Sequence, residues 1–548
     1  TGVSNTLIGG LAGDALTDAD NNVAVGKEAL STDTLGSRSV AIGTAALFTQ
    51  NFTTATNAYN TAVGHFAGGS VTTGTSNTLI GGLTGDALTS GADNTAIGTV
   101  ALTADTLGSR SVAVGRGTLG AQNFTTATLV YNVAVGYDAG AAVTTGANNT
   151  LIGGLAGDAI NTGTANVAVG TAALGALTSA SYNTGIGYSA LTTNVTGAQN
   201  TAVGYSALTL ATGADNTAVG SQALANVAAG TNNTAVGRSA GQAVTTGVQN
   251  TLIGGLAGDA LTDADNNVAL GYSAMTTNVL GSESVAIGTF ALNNQNPATA
   301  VNMYNVAVGH NTGAAVTTGI KNTFVGGLAG DATTTASENV AVGYDSLGTN
   351  ILGSHSVAVG PSALRTQNYG TATNAYNTAV GSFAGYAVST GIRNTLIGGK
   401  TGDEVTTGEG NVAVGYESLG ETTIGDDNVA IGNFALHTNV DGSRNVAVGR
   451  SALLAMEPST ESSTYNTAVG YAAGTAVTTG VSNTLIGGLS GDVLTDADQN
   501  VALGYASLSS DTLGSNSVAI GYAALVAQNF TTATNSYNTA VGASAGAA

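Results

Sequence analysis

Cysteine and tryptophan are absent from the 548 residues, proline occurs three times, and charged residues make up 8% of the chain. Without cysteine there is no disulfide framework and no thiolate metal site, and the redox compartment stays unread. Scarce proline, with glycine at no fixed three-residue interval, excludes a collagen-like chain. Eleven basic residues against 32 acidic ones, a net charge of −21, leave no electrostatic footprint for nucleic acid. No apolar run approaches the roughly 20 residues of a membrane-spanning helix, so no membrane insertion is expected of this segment. The sequence starts at Thr1, which leaves targeting unread. Aromatics reach only 5%, so any core built here is thin and close-packed.

What is present is repetition. A five-residue motif, Asn-(Thr/Val)-Ala-(Val/Ile)-Gly or Ser-Val-Ala-(Val/Ile)-Gly, with variants at its third and fourth positions, recurs 31 times between Asn5 and Gly542. Copies are 17 residues apart almost everywhere, 16 apart once and 21 apart at six places. Counting the Asn or Ser as position 1, positions 2 to 4 alternate as a short strand does, and position 5 is always Gly. Such a glycine fits a backbone with positive φ, or one approached closely by the next coil. In the unit Asn200–Asp215 the motif is followed by an apolar pair, Ala207-Leu208, and a polar turn at Gly213. Two short strands and two turns per unit predict one coil of a parallel β-solenoid; a helical unit needs longer segments and less Gly and Thr. Coils stacked at strand spacing make an all-β rod about 150 Å long. Val/Ile at position 4 is expected to form the buried rib. Ala at position 3 is expected on a second face, open to close approach by a neighbouring chain. Asn at position 1 is expected to stack as an amide ladder.

A longer period of 72 residues overlies the first in parts, interrupted between 149 and 250 and between 394 and 483. Its marker, Asn-Thr-(Leu/Phe)-(Ile/Val)-Gly-Gly, begins at 5, 77, 149, 250, 322, 394 and 483 and places Leu7, Leu79, Leu151, Leu252, Phe324, Leu396 and Leu485 at position 3. Residues 1–548 thus read as a single continuous array. Thr1 enters at position 14 of a coil and Ala548 leaves at position 11, so joining them omits two residues of one coil. The expectation is a window of a longer array, or a subunit that stacks end to end.

The Ser-Val-Ala-Ile-Gly copies at 39–43, 284–288 and 517–521 resemble the head repeat of YadA-type trimeric autotransporter adhesins. The unit Asn-Thr-Ala-Val-Gly-Tyr-Ser-Ala-Leu at 200–208 is similar to repeats of phage tail fibres and large surface fibre proteins. The resemblance implies a left-handed β-roll, three identical chains side by side as a homotrimer, and a fibre or adhesive role outside the cell. The adhesin unit is shorter than 17 residues, and no stalk coiled coil, anchor or chaperone domain is in view.

Candidate sites are few. The histidines His65, His310, His355 and His437 share no position with a nucleophile and an acid, and no catalytic constellation stands out, so an enzyme is not expected. Asp14, Asp18 and Asp20 stand at positions 10, 14 and 16 of one coil, and the trio returns as Asp259, Asp263, Asp265 and as Asp492, Asp496, Asp498. These are candidate Ca²⁺ ligands, and also ordinary turn residues. No other cofactor is implied. The six 21-residue units insert four residues after the Ala-Leu pair and concentrate aromatics: Phe52 and Tyr59, Phe124 and Tyr131, Tyr304 (after Pro297), Tyr369 and Tyr376, Tyr465 (after Pro458), Phe530 and Tyr537. Such bulges are candidate contacts for a surface glycan or protein receptor, or rings that cover the coil. The Val-Thr-Thr-Gly turns at 71, 143, 244, 316 and 477 stack threonines, a pattern that also suits an ice-binding face. The leading expectation is a structural segment of an extracellular, cell-surface or virion fibre, self-associating as a trimer or an end-to-end filament. An adhesin with binding loops is the rival.

Overall fold

The computed structural model describes residues 2–458 and 460–548. Thr1, and with it the expected entry at position 14, lies outside the described residues. The chain is all-β, a parallel β-solenoid of about 31 turns, and no helix occurs among the described residues. Two compact units are present, Thr1–Asn267 and Val268–Ala548. In the first, three-residue strands run from Thr6–Ile8 to Thr251–Ile253; in the second, from Val268–Leu270 to Thr539–Val541. Within each unit every strand pairs in parallel with the strand one coil away, like residue against like, as in Thr150↔Val167, Leu151↔Ala168 and Ile152↔Val169.

The face assignment is corrected. Position 3 points inward: Ala168, Ala202, Leu151 and Phe324 are fully buried, so position 3 offers no free face to another chain. Position 4 points outward, leaving Ile42, Ile97, Ile152 and Ile431 among the exposed apolar residues. The reason is the narrow coil. At Gly185, which stands at position 3, an added Cβ would lie 3.3 Å from both Leu174 Cγ and the Ala190 carbonyl oxygen. Beside a position 9 leucine such as Leu174 that is room for Ala and for nothing larger, and Leu151 and Phe324 fit only in coils whose own position 9 is Gly. Val and Ile go outside, where the pleated surface accepts β-branched residues.

The expected second strand is also corrected. Ala207-Leu208 is part of a turn, in which Ser206 (φ 51°) and Leu208 (φ 49°) are left-handed. Alternating handedness curls the chain back while its amides still reach the next coil: the Leu208 N–H donates to the Ala223 carbonyl at 3.0 Å. Leucine tolerates this conformation because its side chain is fully buried at position 9, so tertiary packing offsets the local strain.

Position 5 needs glycine on both grounds. At Gly153, φ is +136°, and an added Cβ would lie 2.6 Å from the Gly170 carbonyl. The backbones touch there.

Candidate functional site

The amide at position 1 does more than stack. In Asn166, which is fully buried, the backbone N–H donates to Asn149 Oδ1 at 3.0 Å. Its Nδ2 donates to the Ala180 carbonyl, 14 residues on in the same coil, at 3.0 Å. Each such Asn therefore ties its coil to the preceding one and closes its own loop. Direct amide–amide contacts are longer, 3.2 Å for Asn166 Nδ2 to Asn149 Oδ1. The ladder runs mainly through the backbone.

Long coils solve the same problem with other residues. Five of the six begin with Ser, and each carries Gln at position 12: Ser39 with Gln50, Ser111 with Gln122, Ser284 with Gln295, Ser356 with Gln367, Ser517 with Gln528. The insertion moves the carbonyl that an Asn would close upon, and the Gln amide fills the core instead. Gln50 Nε2 donates to Ser39 Oγ (3.0 Å) and to Asp33 Oδ2 (2.6 Å), while its Oε1 accepts from Asn60 Nδ2 (2.8 Å). The sixth long coil has Asn445 with Met456 and keeps the amide ladder, Asn466 N–H donating to Asn445 Oδ1 at 3.0 Å. This exchange was readable in the sequence, through the coincidence of Ser at position 1 with the 21-residue spacing.

Beneath the insertions lie buried carboxylates. Asp105 is fully buried; its Oδ1 accepts the Gly108 N–H (3.1 Å) and Phe124 N–H (3.2 Å), and Oδ2 accepts Gln122 Nε2 (2.6 Å). Burial nevertheless raises its carboxyl above the ordinary Asp range. Asn278 and Asn350 take the same place elsewhere and donate Nδ2 to the carbonyls of Gly281 and Gly353, both at 2.8 Å.

The ten aromatic bulge residues fall into two sets. Phe52, Phe124 and Tyr369 are buried and Phe530 is half-buried. Phe52 lies over Gly36, where an added Cβ would be 2.8 Å from the ring. The Tyr369 hydroxyl donates to the Gly391 carbonyl at 2.7 Å, and burial pushes its phenol upward. Tyr59, Tyr131, Tyr304, Tyr376, Tyr465 and Tyr537 are exposed. Arg38, Arg110 and Arg444 lie 5.4–5.8 Å from the ring centres of Tyr59, Tyr131 and Tyr465, and His355 stacks on Tyr376 at 5.0 Å. Each insertion also adds a two-residue strand, such as Thr56–Asn57, pairing with Gly36–Ser37 of the coil before it.

A second aromatic set escaped the sequence reading. Tyr137, Tyr188, Tyr205, Tyr272, Tyr344, Tyr416, Tyr471, Tyr505 and Tyr522 all follow the position 5 glycine, and all are exposed. Tyr188 stacks on Tyr205 and Tyr505 on Tyr522, with ring centres 5.7 Å apart. Their common offset from Gly was the available signal.

The last aspartate of each trio serves the backbone. Asp20, Asp265 and Asp498 each accept a backbone N–H from the preceding coil, from Val3, Val248 and Val481 at 2.7–2.8 Å. Asp263 and Asp496 accept from the hydroxyls of Thr246 and Thr479. Asp14 and Asp18 are exposed, Asp259 and Asp492 are half-buried, and burial raises the Asp492 carboxyl. Among the described residues no group of three or more acidic or histidine side chains is placed to hold a metal ion. The threonine columns likewise bond within the solenoid: Thr72 Oγ1 donates to the Thr89 carbonyl (3.1 Å) and Thr89 Oγ1 to that of Thr106 (3.0 Å). Of the histidines, His355 contacts Glu338 at 3.1 Å and His437 contacts Glu417 at 3.4 Å. Comparison with protein-family models and with curated proteins returns no match.

Proposed function

We propose that this chain is a structural repeat segment, a stiff spacer within an extracellular, cell-surface or virion fibre, and not an enzyme. The observation that carries the reading is the coil-to-coil bonding through each fully buried position 1 residue, such as Asn149, Asn166, Asn183 and Asn200. Within each unit, layers hydrogen-bonded to their neighbours resist extension and bending along the stack. Left-handed winding and side-by-side trimers belong to the same proposal, by the resemblance of the repeat. The outward stripe of Val, Ile and Leu at position 4 supports self-association, because an apolar surface half-buried or exposed in layer after layer is a poor match for water. End-to-end association is a further part of it. Native mass measurement of the intact chain tests the assembly: a trimer or larger is expected, and a monomer at all concentrations refutes it. Pulling on single molecules tests the spacer role, with unfolding in coil-sized steps only at high force as the expected result.

The adhesin reading is favoured by one observation, the exposed tyrosines on the insertions and after the position 5 glycines. Exposed rings suit glycan faces or partner proteins. A glycan array comparing the intact chain with one whose six insertions are trimmed decides between them: binding lost on trimming supports the adhesin, and no binding by either supports the spacer.

A further inference from the structure

The exposed tyrosines that follow the position 5 glycines are not equivalent. Tyr188 and Tyr205 stand at position 6 of adjacent coils, as do Tyr505 and Tyr522, and all four are exposed. Within each pair the ring centres are 5.7 Å apart, and the planes differ by only 9° and 14°. Among the described residues these are the two contacts between tyrosine rings. Tyr137, Tyr344, Tyr416 and Tyr471 of the same row have Gly, Arg, Pro or Asn at position 6 of the coils before and after them.

The backbone fixes each pair. Ser206 N–H donates to the Tyr188 carbonyl at 3.0 Å, and Ala523 N–H to the Tyr505 carbonyl at 2.9 Å. Just before the second tyrosine of each pair, Gly204 N–H donates to Ile186 O at 2.8 Å and Gly521 N–H to Leu503 O at 2.7 Å. Bonds on both sides hold the two main chains at strand spacing, about 4.8 Å. Identical side chains grown from such positions settle into an offset stack, an arrangement that aromatic pairs prefer. Two phenols are thereby kept side by side at the surface.

We infer that these two pairs are sites of oxidative cross-linking, at which a one-electron oxidant of the haem-peroxidase class, supplied with hydrogen peroxide, joins the rings as dityrosine. Each phenol gives up one electron and one proton, and the peroxide takes up both pairs to become two waters. The two phenoxyl rings then form one bond between their Cε carbons, and the hydrogens on those carbons move to the oxygens to restore both phenols. Proximity selects the partner. A ring on Tyr188 reaches Tyr205 by side-chain rotation, which is fast at exposed positions, whereas coupling to another molecule waits for an encounter. The product ties together residues 17 apart, in a chain that has no cysteine to do so. The first pair spans two irregular coils: residues 183–199 have Gly185 at position 3, where the others carry Ala, Leu or Phe, and residues 200–215 form the 16-residue coil. A covalent tie there supports a layer with less side chain inside it. This inference goes beyond the spacer reading and does not depend on it.

Treating the intact chain with a haem peroxidase and limiting hydrogen peroxide tests it. The expected result is dityrosine fluorescence that grows at a rate independent of protein concentration. Peptide mapping is expected to join Tyr188 to Tyr205 and Tyr505 to Tyr522, each product lighter than its two parts by a pair of hydrogens. Tyr205→Phe removes only an exposed hydroxyl, keeps the stack, and lowers the Tyr188 cross-link by about tenfold or more while Tyr505–Tyr522 is unchanged. Thr171→Tyr sets a third phenol on the coil before Tyr188 and adds a cross-link between positions 171 and 188. Hydrogen exchange of residues 183–215 slows in the oxidised chain and not in Tyr205→Phe treated alike. Products spread over Tyr137, Tyr344 and Tyr416 as readily as over the stacked pairs overturn the inference. So do products formed only between molecules, or a Thr171→Tyr chain that gains no new cross-link.

Discussion

Adjacent coils 149–165 and 166–182 fill the same cross-section in opposite ways. The first places Leu151 at position 3 and Gly157 at position 9; the second places Ala168 at position 3 and Leu174 at position 9. An added Cβ at Gly157 would lie 2.8 Å from Leu151 Cδ2, so the leucine occupies the space its coil's own position 9 leaves empty. Leu151 also fills the space beside Gly140 of the coil before it, where an added Cβ would lie 2.7 Å from Leu151 Cδ1, so volume is shared between neighbouring layers while the residue that supplies it changes sides. Interiors packed to crystal density accept such exchanges only when they are compensated.

The two coil types share one residue that neither can vary, and breaking it gives the largest expected effect. Gly153→Ala sets a methyl against the Gly170 carbonyl at a φ that L-residues avoid, and destabilises by about 4 kcal/mol or more. Hydrogen exchange of coils 132–182 would show protection lost on both sides of the substitution. Next, Leu151→Ala empties the layer between Gly140 and Gly157 and costs about 2–5 kcal/mol in urea unfolding. Gly140→Leu and Gly157→Leu added together recover most of it, turning one coil type into the other. Independent loss from all three would sink the idea of a volume shared between layers.

A smaller effect sharpens the contrast between the long coils. Gln295→Met removes one of the two acceptors of Asn305 Nδ2 (Gln295 Oε1 at 2.9 Å, the Gly319 carbonyl remaining at 2.7 Å) and costs about 1–3 kcal/mol. Ser284→Asn in the same chain copies the Asn445/Met456 coil and offsets part of that loss, as a double-mutant cycle would measure. Protonation comes next. Asp105 has a folded-state pKa above its unfolded value, so between the two values the native state binds more protons and stability rises as pH falls. Asp158, Asp331, Asp403 and Asp492 shift the same way, burial being the largest cause in each. Asp105→Asn, which copies the natural Asn278 and Asn350, should flatten part of this dependence in melts taken from pH 7 down through the carboxylate range. The smallest effect is expected of Tyr59→Ala, below about 1 kcal/mol, because its contact with Arg38 is exposed to water.

Much of the fold was legible because a 17-residue period with an invariant glycine admits few architectures. The face assignment was not. Positions 3 and 4 are both apolar, and alternation says only that they lie on opposite faces. That Ala202 goes in and Val203 stays out depends on how near the opposite wall lies. The apolar pair Ala207-Leu208 looked like a strand because left-handed leucine is a rare conformation that sequence patterns give no reason to expect. Among the bulge aromatics, composition could not separate Phe52, drawn over the bare Gly36, from Tyr59, whose hydroxyl end stays in water. The nine tyrosines after glycine went unnoticed for a simpler reason: they recur at irregular coil intervals, and only stacking brings Tyr188 against Tyr205 and Tyr505 against Tyr522.

By itself, the sequence determined the period, the parallel stacking, the glycine column and the buried amide column, since each follows from local conformation repeated at a fixed interval. The tertiary structure alone decided which side of the strand is interior, how Leu and Gly trade places between layers, and where each amide and carboxylate finds its partners. Those outcomes depend on distances across the coil and between coils. Such distances exist only once the chain has closed on itself and met its neighbour.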